Sequence, residues 1–247
     1  MHKFWQFRAA QDAAQTTDLF LTEEISRHES WFWPTSSRDA FREELNQAKG
    51  TIRVWIDSPG GDSFAGAAMY DMLREYSASG RGRVVAMVSL AASAASLVAM
   101  AADEIRISVV GTIMIHEPWA NTYGREDELR ATADVLAEIR AAYVAAYARR
   151  TGLSEARVLE LMQGSDGNGT YMNAMTAIEL GFADGLMYAE GEDDAQRSAA
   201  TADMMARVRV AACMDRDEPK PATGATAPET DELRRALMRA CLATMTD

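Results

Sequence analysis

The chain has 247 residues, 48% hydrophobic and 25% charged, which suits one domain of up to about 200 residues plus extensions. A formal net charge of -12 and a pI near 4.8 argue against a nucleic acid as partner, because phosphate binding needs a basic face. Two cysteines, Cys213 and Cys241, make neither a disulfide framework nor a metal cluster, so a reducing compartment is expected.

Residues 1–17 read as a flexible lead-in, without an apolar stretch long enough for a signal peptide. The strand-like "DLFLTEEI" (18–25) follows, then a helix over 37–48 with Ser36 or Ser37 as its N-cap. "IRVWID" alternates cleanly, with Ile52, Val54 and Ile56 on one side and Arg53, Trp55 and Asp57 on the other. That strand runs into the turn "SPGGDS". A helix over 64–76 carries Phe64, Ala68, Met72 and Tyr76 at helical spacing. "RVVAMV" (83–88) is a second buried-type strand, followed by a helix of small residues starting at Ser93. "EIRISV" and "TIMIHEP" read as two further strands. A long amphipathic helix over 126–150 puts Leu129, Leu136, Ile139, Tyr143 and Tyr147 on one stripe, with an acidic first turn and a basic last turn. Gly152 stops it, Ser154 caps a shorter helix, and "NAMTAIELG" (173–181) is another. This alternation predicts an α/β fold of parallel crossover units. The compact domain is expected over 18–190. Residues 191–247 read as an acidic, Pro/Ala-rich linker and a short C-terminal helix. The apolar run 90–102 is shorter than the about 20 residues a bilayer span takes, so a cytoplasmic location without membrane contact is expected.

The chemistry narrows by elimination. Of three histidines, His2 lies in the lead-in and His28 in a polar loop, which leaves His116 at the end of an apolar strand. No lysine lies between 50 and 219, which argues against a serine–lysine dyad in the core. His116 is therefore the candidate general base, with a structural hydrogen-bonded histidine as the alternative. Among the serines of "SLAASAAS", Ser93 would stand between strand and helix, where uncovered N–H groups favour a developing oxyanion. Ser89 and Ser96 are better explained by packing. The glycines of "SPGGDSFAG" leave backbone N–H groups bare after a buried strand, as an oxyanion hole or a plain turn does. The segment lacks the G-K-[ST] ending of a phosphate loop, and no cofactor or metal is expected.

Together, "IDSPGGDSFAGAAMYDML", "SLAASAASLVAMAADEI", "IMIHEPW" and "TGLSEARVLELM…YMNAMTAIELGFAD" resemble the Clp-type serine peptidases, and more closely the phage and prophage head maturation (prohead) protease branch. The resemblance covers roughly 18–188. It implies a crotonase/ClpP-like spiral of ββα units with a protruding handle helix, here 126–150, through which subunits stack into homo-oligomeric rings. It implies Ser93 as nucleophile, His116 as base, and the backbone N–H groups of Gly61 and Ala94 as oxyanion hole. A peptide substrate would add as a strand along the segments holding Gly60, Asp62, Glu117 and Pro118. The implied activity is a serine endopeptidase, ATP-independent or partner-assisted, that processes scaffold or capsid proteins.

One position departs from the pattern. The family's third triad member, an acid, falls on Gly169 in "GSDGNGTYM". Asp166, three residues upstream, is the first replacement, followed by no acid at all, then Asn168. A catalytically weak assembly component is thus the second reading. A crotonase-type acyl-CoA enzyme is the third, which the serine–histidine pairing fits poorly.

Overall fold

A computed structural model describes residues 3–9, 16–26 and 37–187. Seven strands form one sheet: β1 (Trp5–Ala9), β2 (Thr17–Leu21), β3 (Ile52–Ser58), β4 (Val84–Ala92), β5 (Glu104–Ile115) and β6 (Thr170–Asn173) in spatial order, with β7 (Gly185–Leu186) beside β5. The run from β2 to β5 is parallel, while β1 and β6 join antiparallel at the two ends. Helices cover the parallel strands, as crossover connections require. The chain is α/β with the expected crossover units.

The alternation in β3 does what its pattern predicts. Ile52, Val54 and Ile56 are buried, and the opposite face pairs in register with β2. There the Arg53 guanidinium donates twice to the Asp18 carboxylate, at 2.8 and 3.0 Å, and Trp55 Nε1–H donates to the same group at 2.8 Å. Phe20 stacks over Trp55 two register positions further, on the same face. A bidentate pair and a stacked ring so close together fix the register as firmly as the apolar face does.

The helices are α1 (Ser37–Gln47), α2 (Ser63–Ala78), α3 (Ala94–Ala99), α4 (Glu126–Thr151), α5 (Glu155–Gln163) and α6 (Ala174–Glu179). Asp62 caps α2 by accepting the Ala65 N–H at 2.8 Å, and Ser154 caps α5. At 26 residues, α4 is roughly 39 Å long. Only its C-terminal end is anchored, by Tyr143, Val144 and Tyr147, and Gly152 terminates it in the left-handed conformation at φ 76°. The rest protrudes. Among the described residues, no helix is long and apolar enough to cross a membrane.

Several expectations change. The lead-in holds a strand: β1 pairs with β2, and Phe4 and Trp5 are buried, Trp5 packing edge-on against Phe41. The strand expected over 18–25 is β2 plus an isolated bridge from Ile25 to Gly61. The two strands expected around residue 110 are one, β5. Between Val88↔Ile107 and Leu90↔Thr112 it carries residues 108–111 against Ser89 alone, so Val109 and Val110 swing out to 74% and 87% exposure. Ser89, opposite this excursion, is exposed rather than packed. In α2 the buried face is Ala65, Met69, Met72, Leu73 and Tyr76, while Phe64 is 45% exposed. In α4 the outer part of the predicted stripe, Leu129, is also exposed. His2, His28, Ser36 and the tail 191–247 lie outside the described residues.

Candidate active site

Ser93 joins β4 to α3. Its φ of 53° and ψ of -126° make it the one non-glycine residue at positive φ among the described residues. Such a conformation costs on the order of 1–3 kcal/mol and persists only where the surroundings over-determine it. They do so here. The Ser93 N–H donates to the Met114 carbonyl at 2.9 Å, and the Ser93 carbonyl accepts the Ser96 N–H at 3.0 Å and the Ser96 hydroxyl at 2.6 Å. From behind, Gly60 fills the space under Ser93: a Cβ at residue 60 would lie 2.6 Å from Ser93 Cβ and collide with the Ala92 carbonyl. Gly66 similarly lets α2 come close to Ala94. The small-residue run is the sequence signature of this crowding.

The expected helix from Ser93 is only six residues long, so a macrodipole adds little. Individual N–H groups matter more. Ala94 opens α3, where an amide has no partner within the helix. Ile25 donates to the Gly60 carbonyl and accepts from Asp62 N–H, both at 2.7 Å. This bridge uses the peptide groups on either side of Gly61 and turns the Gly61 N–H away from Ile25.

His116 follows directly on β5. Its Nε2 lies 2.7 Å from Ser93 Oγ. Partial burial lowers its pKa below the usual histidine value, opposed in part by a hydrogen bond to the Glu117 backbone. The imidazole is thereby kept neutral at neutral pH, the state in which Nε2 accepts a proton. A cleft of about 440 Å³ opens over the pair, lined among others by Gly60, Gly61, Ser63, Pro118 and Trp119.

The third member is where expectation and structure part. Gly169 sits directly against His116, at φ 88°, and a Cβ there would lie 2.5 Å from His116 Cβ and strike the Ile115 carbonyl. No side chain fits while the backbone keeps this path. Asp166 does not bend back to His116. It is fully exposed, its carboxylate accepts the Asn168 N–H at 3.0 Å, and hydrogen bonding to Asn168 lowers its pKa. Asn168 serves this local turn. Among the described residues, no carboxylate is hydrogen-bonded to His116.

The remaining expected substrate contacts divide. Gly60 and Pro118 line the cleft. The Asp62 side chain caps α2, and Glu117 pairs with Arg140 of α4 at 3.0 Å. Glu24, Pro59, Ser63 and Trp119 line the cleft without having been singled out from sequence. Trp119 could have been found as the aromatic ending "IMIHEPW". Glu24 reaches the cleft only because the Ile25–Gly61 bridge carries it there, and no local pattern announces that pairing.

The profile of the Clp protease family matches residues 12–190. The ATP-dependent Clp protease proteolytic subunit 2 of Treponema denticola is 30% identical over 173 residues, covering 69% of this chain and 82% of that protein. The ATP-dependent Clp protease proteolytic subunit of Ligilactobacillus salivarius is 29% identical over 146 residues, covering 58% of this chain and 71% of that protein.

Proposed function

The chain belongs to the Clp protease family, and on that premise we propose that it is a serine endopeptidase working through a Ser93–His116 pair. The observation that carries this reading is the 2.7 Å contact between Ser93 Oγ and His116 Nε2 at a strained serine, with a cleft above it. Ser93 Oγ attacks the scissile carbonyl carbon while His116 Nε2 takes its proton. The carbonyl oxygen becomes an oxyanion facing the N–H groups of Gly61 and Ala94. Collapse expels the amine, which receives the proton from His116, and leaves an acyl-enzyme on Ser93. Water, deprotonated by His116, then attacks the ester, and His116 returns that proton to the departing Ser93 Oγ as the acid product is released. Among the described residues, no acid is hydrogen-bonded to the imidazole to orient it.

The finer reading is a head maturation protease that cuts scaffold or capsid chains in a bacterial cytoplasm or an assembling prohead, supported by the motif resemblance described above. Ring assembly through α4 is supported by its protruding length and by Leu129 and Val135, which are 42% and 50% exposed. The missing carboxylate favours a second reading, an assembly component with weak or no turnover. One assay separates them. Incubating the protein with an unfolded protein substrate should release new α-amino groups, and Ser93→Ala should release none. Equal release by both proteins, or none from the wild type, contradicts the peptidase reading.

A further inference from the structure

Resting on the reading of Ser93 as nucleophile, we propose that Tyr147 of α4, acting through Ser96, is a positioning residue that holds Ser93 in its attacking conformation. The Ser93 carbonyl accepts two hydrogens, from the Ser96 amide at 3.0 Å and the Ser96 hydroxyl at 2.6 Å. Turning ψ of Ser93 away from -126° therefore breaks two bonds at once. The Ser96 hydroxyl has a single hydrogen, and it is committed to Ser93. The Tyr147 hydroxyl, 2.7 Å away, must then donate to Ser96 Oγ. The result is a directed chain: Tyr147 O–H to Ser96 O–H to Ser93 C=O.

Both links are sealed from water, with Ser96 0% and Tyr147 1% exposed. The tyrosine is itself held. Its ring packs edge-on against Tyr143 and tilted against Phe182, and its backbone carbonyl accepts the Thr151 hydroxyl at 2.8 Å. Burial raises its pKa, so it stays a donor throughout the range in which the protein is folded. Filling this space needs only a phenylalanine and an alanine. Two buried hydroxyls cost desolvation, and in this chain the acceptor they reach beyond themselves is the carbonyl of the strained serine. The root of the protruding helix is thus tied to the backbone of the nucleophile.

The test compares Tyr147→Phe, Ser96→Ala and the double variant with the wild type, with three measurements on each. These are the rate of Ser93 modification by a fluorophosphonate per folded molecule, kcat and KM on a peptide, and amide hydrogen exchange over residues 90–100. Each single change should slow labelling by about tenfold, lowering kcat with KM unchanged. The double variant should be no slower than the worse single one, because both hydroxyls act in one chain. Exchange at the Ser96 amide should quicken. A lowered Tm with labelling and exchange unchanged per folded molecule would reduce the pair to packing and overturn the proposal, as would fully additive losses. Should folded wild type fail to label, the peptidase reading falls and exchange alone decides: faster in Tyr147→Phe upholds the positioning role, unchanged overturns it.

Discussion

Ser93 stands where β4, α3 and the root of α4 converge, while His116 follows β5 beside the loop 164–169, in which Gly164, Gly167 and Gly169 all adopt positive φ. On the serine side both backbone groups of Ser93 are met: Met114 takes the N–H and Ser96 supplies two donors to the carbonyl, while Gly60 blocks the space behind. On the histidine side the loop offers backbone at van der Waals range and no charge. Under the proposed reading, the nucleophile is held by steric exclusion at Gly60 and by hydrogen bonds of its backbone with Met114 and Ser96. The base, by contrast, faces a glycine at the position where the family resemblance implies an acid, in a loop whose path against His116 leaves no room for a side chain.

The largest effect tests the pair itself. His116→Ala should lower peptide turnover by on the order of 10⁴-fold or more, because Ser93 then has no proton acceptor; steady-state kinetics with active-site titration check it. Next comes the crowded side. Gly60→Ala places a Cβ 2.6 Å from Ser93 Cβ at φ 92°, so it should destabilise the fold by about 1–3 kcal/mol and abolish labelling of Ser93. Denaturant unfolding and labelling measure the two effects separately.

The same logic makes restoring the acid informative. Gly169→Asp puts a carboxylate at the family's position, but at φ 88° and against His116 Cβ at 2.5 Å. It should destabilise by about 1–3 kcal/mol without raising turnover. A rise in kcat would show that the loop can yield and that charge alone was missing. A smaller effect is expected with pH. Because burial lowers the His116 pKa, the ascending limb of kcat/KM should lie below the usual histidine range, with activity lost as pH falls through it and full by neutral pH. A limb above that range would mean an unrecognised anion beside the imidazole. The smallest effect is expected from Asp166→Asn. The side chain is fully exposed and engaged with Asn168, so turnover should change by less than about twofold.

What was legible in the sequence follows from how local each feature is. The period-two pattern of Ile52, Val54 and Ile56 identified β3, and Ser154 and Gly152 bound their helices through contacts within a few residues, whereas Asp62, expected beside the substrate, caps α2 instead. The proposed pair was legible as candidates, because elimination left His116 and family order pointed to Ser93, and the fold brings the two within 2.7 Å. β1 was not, since "WQFRA" gains its meaning from pairing with β2 and burying Trp5 against Phe41. Of the expected α2 stripe, Met72 and Tyr76 are buried, whereas Phe64 is exposed because the first turns bury Ala65 and Met69 instead. In the sequence, packing accounts for Ser96. Its partner Tyr147 is 51 residues away, and only tertiary structure brings the two hydroxyls together. Asp166 looked able to reach His116 because glycines flank it, yet its own turn holds the carboxylate.

The most direct measurement treats the folded protein with a fluorophosphonate and locates the adduct by peptide mass spectrometry. The geometry predicts one adduct on Ser93, lost in His116→Ala and retained in Asp166→Asn. No adduct on the folded protein, an adduct on another serine, or loss of labelling in Asp166→Asn would contradict a Ser93–His116 pair that works without a carboxylate.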